Sequence, residues 1–503
     1  MSQINIIDLT FAYEGSYQDI FRNVSFTIDT DWKLGFCGRN GRGKTTFLNL
    51  LLGKYDYQGK IVSSATFEYF PYEVEDRSRK VEDILMEVTP HAEYWQIQKE
   101  ISLLDLDSSV LCQQFNTLSN GEQTKVLLAG LFLREHAFLL IDEPTNHLDL
   151  NARVMIARYL NKKKGFILVS HDRSLLDGCT DHTLSINKCN IDIISGNFSV
   201  WYKEKERRDA FERASNEALK KEIYRLEESI RRTSAWSDKA ENSKKGYHPK
   251  KEVKMGWAPK QAAKSKKMMK RSKAIVERQE ANIEQKSHLL KNVESTDALK
   301  LFPLTYHTSN LLTIEALSVT YDTRTIFQEF NLTIQEGERV ALQGKNGCGK
   351  SSIIKLLSDP ASSDPKSNTY IPHTGRVQNG SGLMISYVSQ DTSSLSGTLT
   401  DFIDQSGISE SLCKAILRKL DFSREQFDVL LEDYSAGQKK KILIARSLCQ
   451  RAHLYIWDEP LNYIDVLSRI QIEELILQYQ PTLLFVEHDK VFTDHVATRV
   501  VEM

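Results

Sequence analysis

Two copies of one phosphate-binding pattern constrain this chain more than any other feature. Residues 38–45 read GRNGRGKT and residues 344–351 read GKNGCGKS, and both fit G-x-x-x-x-G-K-[ST]. An apolar, strand-like stretch precedes each (34–37 and 340–342), and a helix-like stretch follows (46–52 and 352–357). Strand, glycine loop and helix in that order is the setting a nucleotide-phosphate loop requires. Further pieces recur in the same order: LSNGEQTK (118–125) with YSAGQKKK (434–441), FLLIDEPTNHLD (138–149) with LYIWDEPLNYID (454–465), and LVSHD (168–172) with FVEHD (485–489). Ser119 stands 23 residues before Asp142 and Ser435 stands 23 before Asp458; Asp142 to His171 is 29 and Asp458 to His488 is 30. A repeat on this scale predicts two α/β ATP-binding units, residues 1–203 and 306–503, with residues 204–305 between them.

The residue types fit phosphate chemistry. Gly38, Gly41 and Gly43 let backbone N–H groups, with Asn40 in the same loop, surround phosphate oxygens without Cβ clashes. Lys44 is placed for the β/γ-phosphates and Thr45 for Mg²⁺, and Thr46 follows at the positive end of a helix. Gly344, Asn346, Gly347, Gly349, Lys350, Ser351 and Ser352 repeat the arrangement. Asp142 and Asp458 end apolar strands, where a carboxylate can hold Mg²⁺. Glu143 and Glu459 stand next to them, placed to orient or deprotonate an attacking water. His171 and His488 close further strands and are candidates for γ-phosphate contact. Tyr13 and Tyr321 precede the loops by similar distances; adenine stacking is one reading and an ordinary strand-end aromatic the other. Ser119, Gly121 and Glu122 in one copy, and Ser435, Gly437 and Gln438 in the other, open helices suited to an anion.

The middle segment differs in kind. From 203 to 236 it is charged and free of Gly and Pro, with Leu219, Ile223, Leu226 and Ile230 on one seam. On the return side Met269, Val276, Ile283 and Leu290 step by seven. Gly246, Pro249, Gly256 and Pro259 interrupt helix between them. The pattern predicts an antiparallel helical hairpin with a basic tip near 236–262. Residues 231–273 carry 15 Lys+Arg against three acids, +12, so the other 460 residues carry −13 to leave the chain at −1. Near-neutral net charge therefore says nothing against a nucleic-acid partner. Trp236, Tyr247, His248 and Trp257 interleave with Lys244, Lys245, Lys250, Lys251, Lys254 and Lys260, an RNA-binding composition that a solvated, flexible loop would also allow. No stretch approaches the roughly 18–20 apolar residues of a membrane helix. The start, MSQINIIDLTF, lacks the basic and apolar regions of a secretory signal. Seven dispersed cysteines without CxxC point to a reducing cytosol.

Phosphate loop, [LY]S-x-G-x-Q-like stretch, DEP and HD in this order resemble the ABC ATPases. Two such domains on one chain, DEPTNHLD in the first, and GNFSVWYKEKERR (196–208) leading into a charged linker resemble the ABC-F proteins. The resemblance implies two head-to-tail sites with ATP and Mg²⁺ as cofactors. The first would use Lys44, Asp142, Glu143 and His171 with Ser435 and Gly437. The second would use Lys350, Asp458, Glu459 and His488 with Ser119 and Gly121, and Gln390 would reach metal or water. Copy one has Tyr72 (YFPYE) where copy two has Gln390 (YVSQD), so the two sites are expected to differ.

The resemblance also implies a monomeric cytoplasmic ATPase whose partner is the bacterial 70S ribosome, entered at the E site, with the hairpin tip toward 23S rRNA and the P-site tRNA, and no membrane partner. Tyr72 to Ser119 is 47 residues and Gln390 to Ser435 is 45, and the chain ends 15 residues after His488. A long tip, no substantial arm insertion and no expected C-terminal extension resemble the antibiotic-resistance members that protect against lincosamides, streptogramin A and pleuromutilins. A housekeeping ABC-F translation factor relieving stalled ribosomes is the near alternative. The ATPase subunit of a drug exporter is the alternative of another class.

Overall fold

The computed structural model describes residues 2–503 apart from 16–18, 135, 146–147, 188, 246–257, 290–298, 322–323, 346, 360–361, 363–366 and 368, with the backbone alone at 236–245, 258–265, 268–269, 287–289 and 324. Continuous apolar strands organise each copy. Leu34, Phe36, Leu140, Ile141, Ile167 and Leu168 are fully buried, the signature of a parallel sheet covered on both faces. In copy one the strands lie in the order Thr66–Phe70, Ala137–Asp142, Phe166–Val169, Lys33–Cys37, His182–Asn187 and Asn190–Ser195, all parallel except the last pair. Copy two repeats it with Ile385–Val388, Leu454–Asp458, Leu483–Val486, Arg339–Gln343 and Arg499–Glu502. Each copy adds a three-stranded antiparallel sheet, built on Gln3–Phe11 in one and Asn310–Tyr321 in the other.

This topology positions the chemistry. The loops that follow the parallel strands Lys33–Cys37, Ala137–Asp142 and Phe166–Val169 all emerge at the carboxyl edge of one sheet, where ligands bind open α/β folds. Beside each sheet stands a helical subdomain: Val81–Val88, Tyr94–Leu103 and Asn120–Phe132 in copy one, and Leu399–Gln405, Glu410–Lys419 and Ala436–Cys449 in copy two. Ile97, Ile101, Leu128 and Leu131 hold the first together, and Cys413, Ile416, Leu417, Ile442 and Leu448 the second.

Residues Met1–Trp201 and Thr296–Met503 form one compact unit and Tyr202–Ser295 another. Within 299–306, which the sequence reading divides between linker and second domain, Leu299 and Leu301 join one core of copy two and Tyr306 the other. The second unit contains most of helix Phe198–Lys245 and all of Ala258–Leu289. Gln279 Nε2 donates to Ser229 Oγ at 3.0 Å, and Lys286 pairs with Glu222, an antiparallel register. Leu219, Ile223, Leu226, Ile230, Val276 and Ile283 are half-buried along this seam. For Met269 the backbone alone is described, and Leu290 lies outside the described residues.

Candidate functional site: two nucleotide sites between the copies

Each phosphate loop is shaped by its glycines and its lysine. At Gly43 (φ 98°) a Cβ would lie 2.6 Å from Ile20, and at Gly349 (φ 102°) 2.7 Å from the Phe327 ring, so no other residue fits. Lys44 Nζ donates to Gly38 O (2.8 Å), Arg39 O (3.2 Å) and Asn40 Oδ1 (3.3 Å); Lys350 Nζ donates to Gly344 O (2.8 Å) and Lys345 O (3.0 Å). Burial holds the Lys44 ammonium below its ordinary pKa, which favours an anionic ligand that would restore its charge balance. Tyr13 and Tyr321 share hydrogen bonds with Thr46 (2.8 Å) and Ser352 (3.1 Å), which seats both rings at the start of the loop helices with 43% and 40% of each residue exposed.

The acidic pair differs between copies. Glu143 (φ 50°) and Glu459 (φ 46°) both adopt the left-handed region, pinned by N–H bonds to Val169 O (2.9 Å) and Val486 O (3.0 Å). Such strain at a carboxylate is characteristic of functional positions. Glu143 Oε1 lies 3.3 Å from His171 Nε2, and Glu459 Oε1 lies 3.5 Å from His488 Nε2. Burial, with Asp142 beside it, pushes Glu143 up to about 8. Burial also works to raise Glu459, but His488, Lys440 and a bond from Gln390 outweigh it and hold its carboxyl below the usual value. Gln390 Nε2 donates to Glu459 Oε2 at 2.9 Å, and Asn462 Nδ2 at 2.5 Å. Burial and the charges of Lys44 and Arg469 keep His171 well below its ordinary pKa, hence neutral.

The metal-binding candidates converge as oxygen donors. Thr45 Oγ1 donates to Asp142 Oδ2 at 3.0 Å, and Ser351 bonds Asp458. Asp458 Oδ1 is buried without a hydrogen-bond partner, and burial with the neighbouring Glu459 raises this carboxyl to about 6. A divalent, oxygen-seeking cation such as Mg²⁺ fits that donor set. In copy one Tyr69, not Tyr72, meets the acid: its hydroxyl donates to Asp142 Oδ2 at 3.0 Å. The Tyr72 hydroxyl is buried without a hydrogen-bond partner, beside Gly130. Alignment of YFPYE with YVSQD puts Tyr72 at the position of Gln390 and says nothing of Tyr69; the pairing of strand Thr66–Phe70 with Ala137–Asp142 brings Tyr69 in.

The signature segments are capping boxes. Ser119 accepts from the Glu122 N–H, and the Glu122 carboxylate accepts from the Ser119 N–H at 2.9 Å; Ser435 and Gln438 do the same. A cavity of about 960 Å³ joins the copies. It is lined by Ser119, Gly121 and Glu122 of copy one and by Tyr321, Gly347, Gly349, Lys350, Ser351, Ser352, Gln390, Glu459 and His488 of copy two. On the other side Asn40 Nδ2 donates to Tyr463 O at 2.8 Å, and Gly437 packs where a Cβ would lie 2.5 Å from Tyr463 O and 3.4 Å from Asn40. Asn346, Tyr247, His248, Lys250, Lys251, Lys254 and Trp257 lie outside the described residues; Trp236, Lys244, Lys245 and Lys260 are described in backbone alone, on the two long helices.

Several site residues escaped the sequence reading. Arg153 pairs with Asp172 at 3.3 Å and Arg469 with Asp489 at 3.2 Å, tying the helix after DEP to the HD turn in each copy. Their signal was present: each stands four residues after an Asp of the repeat, Asp149 or Asp465. Arg469→Ala would leave Asp489, 1% exposed, as an unpaired buried charge. It should cost about 3–5 kcal/mol, read as a lowered denaturation midpoint. Lys440 is 1% exposed, and its Nζ donates to Ser389 O (2.7 Å) and Asp458 O (3.1 Å), which links the signature helix to the Gln390 loop and the acidic strand. Burial brings its ammonium down to about 8.

Residues 21–146 and 327–462 match the protein family described as ABC transporter, and residues 184–246 match an extension of the same description. The chain is 27% identical over 495 residues to the ribosome protection protein VmlR of Bacillus subtilis, covering 97% of this chain and 85% of that protein. It is 24% identical over 563 residues to ABC transporter F family member 2 of Arabidopsis thaliana, covering 100% of this chain and 76% of that protein. Among solved structures it resembles the archaeal ribosome recycling factor aABCE1, crystallised with ribosomal stalk protein aP1 (TM-score 0.61, 19% identity, 98% of this chain and 87% of that one). Among the described residues no helix is long and apolar enough to cross a membrane.

Proposed function

We propose that this chain, which belongs to the ABC-F family of ATPases, binds the bacterial 70S ribosome with its two halves closed on ATP and leaves when hydrolysis lets them open. The observation that carries the reading is the cavity shared by the Lys350 loop of one copy and the Ser119 helix of the other. A nucleotide held by one half there presents its γ-phosphate to the helix N-terminus of the other, so binding energy becomes closure energy.

Within each site the residues divide the work. Backbone N–H groups of the loop and Lys44 or Lys350 hold the phosphates. Thr45 with Asp142, and Ser351 with Gln390 and Asp458, would hold Mg²⁺, which when bound would supply charge neutralisation for the phosphates. Glu143 and Glu459 orient the attacking water and take its proton, steered by His171 and His488. Glu459 is the better prepared base, since Gln390 and Asn462 donors fix its other oxygen. Glu143 must first lose the proton that burial favours, and bound cation and water would help it do so.

The finer reading is that the chain enters the E site from the cytoplasm and carries its basic tip to the P-site tRNA and the peptidyl-transferase region of 23S rRNA, where it displaces lincosamides, streptogramin A or pleuromutilins. It is supported by the likeness to VmlR and by the +12 tip with interleaved aromatics. In a strain lacking the gene, plasmid expression of the wild type should raise tolerance to lincomycin and tiamulin severalfold, and the Glu143→Gln, Glu459→Gln form should not. A deletion strain that grows slowly without drug and shows no change in tolerance would favour the housekeeping role. Sedimentation with membranes rather than ribosomes would favour an exporter subunit.

A further inference from the structure

The repeat makes the two sides of the domain interface comparable position by position, and they are not built alike. On the side of the Lys44 loop, Arg42 Nη2 donates to Asp421 Oδ1 of copy two at 3.0 Å, and Arg39 Nη1 lies 3.6 Å from the same oxygen. Beyond His171, Arg173 Nη2 pairs with Glu473 Oε2 of copy two at 2.5 Å, both side chains under 10% exposed, and His495 Nδ1 meets the other Glu473 oxygen at 2.5 Å.

The equivalent positions on the side of the Lys350 loop hold different chemistry. Cys348 stands in the place of Arg42, and Asp105 in the place of Asp421; both aspartates follow a helix in the left-handed region (φ 54° and 70°) with the same pattern of backbone bonds. A thiol cannot make the ion pair, and Lys345, which stands in the place of Arg39, lines the same cavity as Asp105 but makes no ion pair with it among the described residues. Lys490, Ala157 and Gly178 replace Arg173, Glu473 and His495, so the carboxylate that would anchor a second pair is missing from the sequence. Asp105 lines the cavity of about 960 Å³, and Ala157, Gly178 and Lys490 line another of about 470 Å³. Two ion-paired contacts on one side thus face two cavities on the other.

We propose that Arg42–Asp421 and Arg173–Glu473 form a two-point latch that keeps the halves joined at the first composite site, so that opening is a swing about that site and happens at the second. The latch rests on the proposed ATP-gated cycle for its consequence, but not for its existence. Partly buried charge-assisted pairs resist salt and water better than surface pairs do. The arrangement means that ATP bound at the Lys44 loop is retained longer, while the Lys350 loop exchanges nucleotide. The capping carboxylate of Glu122, where copy two has neutral Gln438, adds negative charge to the second site and favours its opening once the γ-phosphate is cleaved.

The test is distance measurement by pulsed electron resonance on the full chain, with nitroxide-bearing non-natural residues at exposed equivalent positions. Arg22 with Arg424 reports the first site, and Gln328 with Ser108 the second. With ADP, the second-site pair should lengthen relative to ATP in the Glu143→Gln, Glu459→Gln background while the first-site pair holds. Arg42→Cys, or Asp421→Asn, should raise the opened population at the first site about tenfold, and Arg42→Asp combined with Asp421→Arg should bring it back. Equal lengthening at both sites in the unmodified chain would overturn the proposal, as would a first-site distance indifferent to both single variants. A first site that opens in Arg42→Cys, beside a second site unchanged between ATP and ADP, would support the latch and sink the nucleotide-gated reading instead.

Discussion

Glu143→Gln combined with Glu459→Gln should lower ATP hydrolysis by about 10²–10⁴-fold and trap the chain on ribosomes when ATP is present. Glutamine keeps the shape of the side chain and, at Glu459, can still hydrogen-bond Asn462 or Gln390, but it cannot accept a proton from water. It also removes two carboxylates that would repel a γ-phosphate, so the closed state gains as hydrolysis is lost. Pelleting through a sucrose cushion with ATP or ADP measures the outcome. A double variant that pelleted no better than wild type would be incompatible with release by hydrolysis. The backbone should not move, because the N–H of each residue bonds the neighbouring strand whatever the side chain.

The second large effect concerns the hairpin. Replacing Lys244, Lys245, Lys250, Lys251 and Lys254 together by Gln should flatten the salt dependence of ribosome binding and weaken it at low salt. Each phosphate neutralised releases counterions, so five contacts make affinity change by on the order of 10² across a fourfold change in salt. Binding of the ATP-locked form measured at two or more potassium concentrations gives the slope directly. A slope equal to that of the unsubstituted chain would remove the tip from the RNA interface, while ATP hydrolysis should be intact in either case. The −13 carried by the remaining 460 residues makes this test sharper, since the rest of the chain supplies little nonspecific attraction.

Much of this was legible before any coordinates. Duplication fixed the number of ATP-binding units, because a motif that needs strand, loop and helix cannot recur with matching spacing unless the unit recurs. The seam of Leu219, Ile223, Leu226 and Ile230 marked the contact face of the hairpin, because helical periodicity is local. Chemistry that depends on neighbours distant in sequence was not legible. The run Lys439–Lys440–Lys441 shows three consecutive charges and nothing of their surroundings, yet Lys440 is buried against three carbonyl groups and Lys441 on Asp465 at 2.9 Å. Composition records charge, but burial is decided by what packs over it. The bond from Tyr69 to Asp142 was not legible either, because strand register sets which side chain faces the acid.

The sequence alone, then, determined the identity of the parts: two phosphate loops, two acid pairs, two signature helices and one basic hairpin. Those follow from residue type and spacing, which are properties of a short stretch of chain. The sequence also marked the two sites as different at Tyr72 against Gln390; only the tertiary structure decided which differences meet across the interface. A repeat in sequence implies symmetry, and the fold keeps it in the order of the five parallel strands of each copy. It breaks at the interface, because Arg42 against Cys348 and Glu473 against Ala157 matter only once the opposite copy stands across from them.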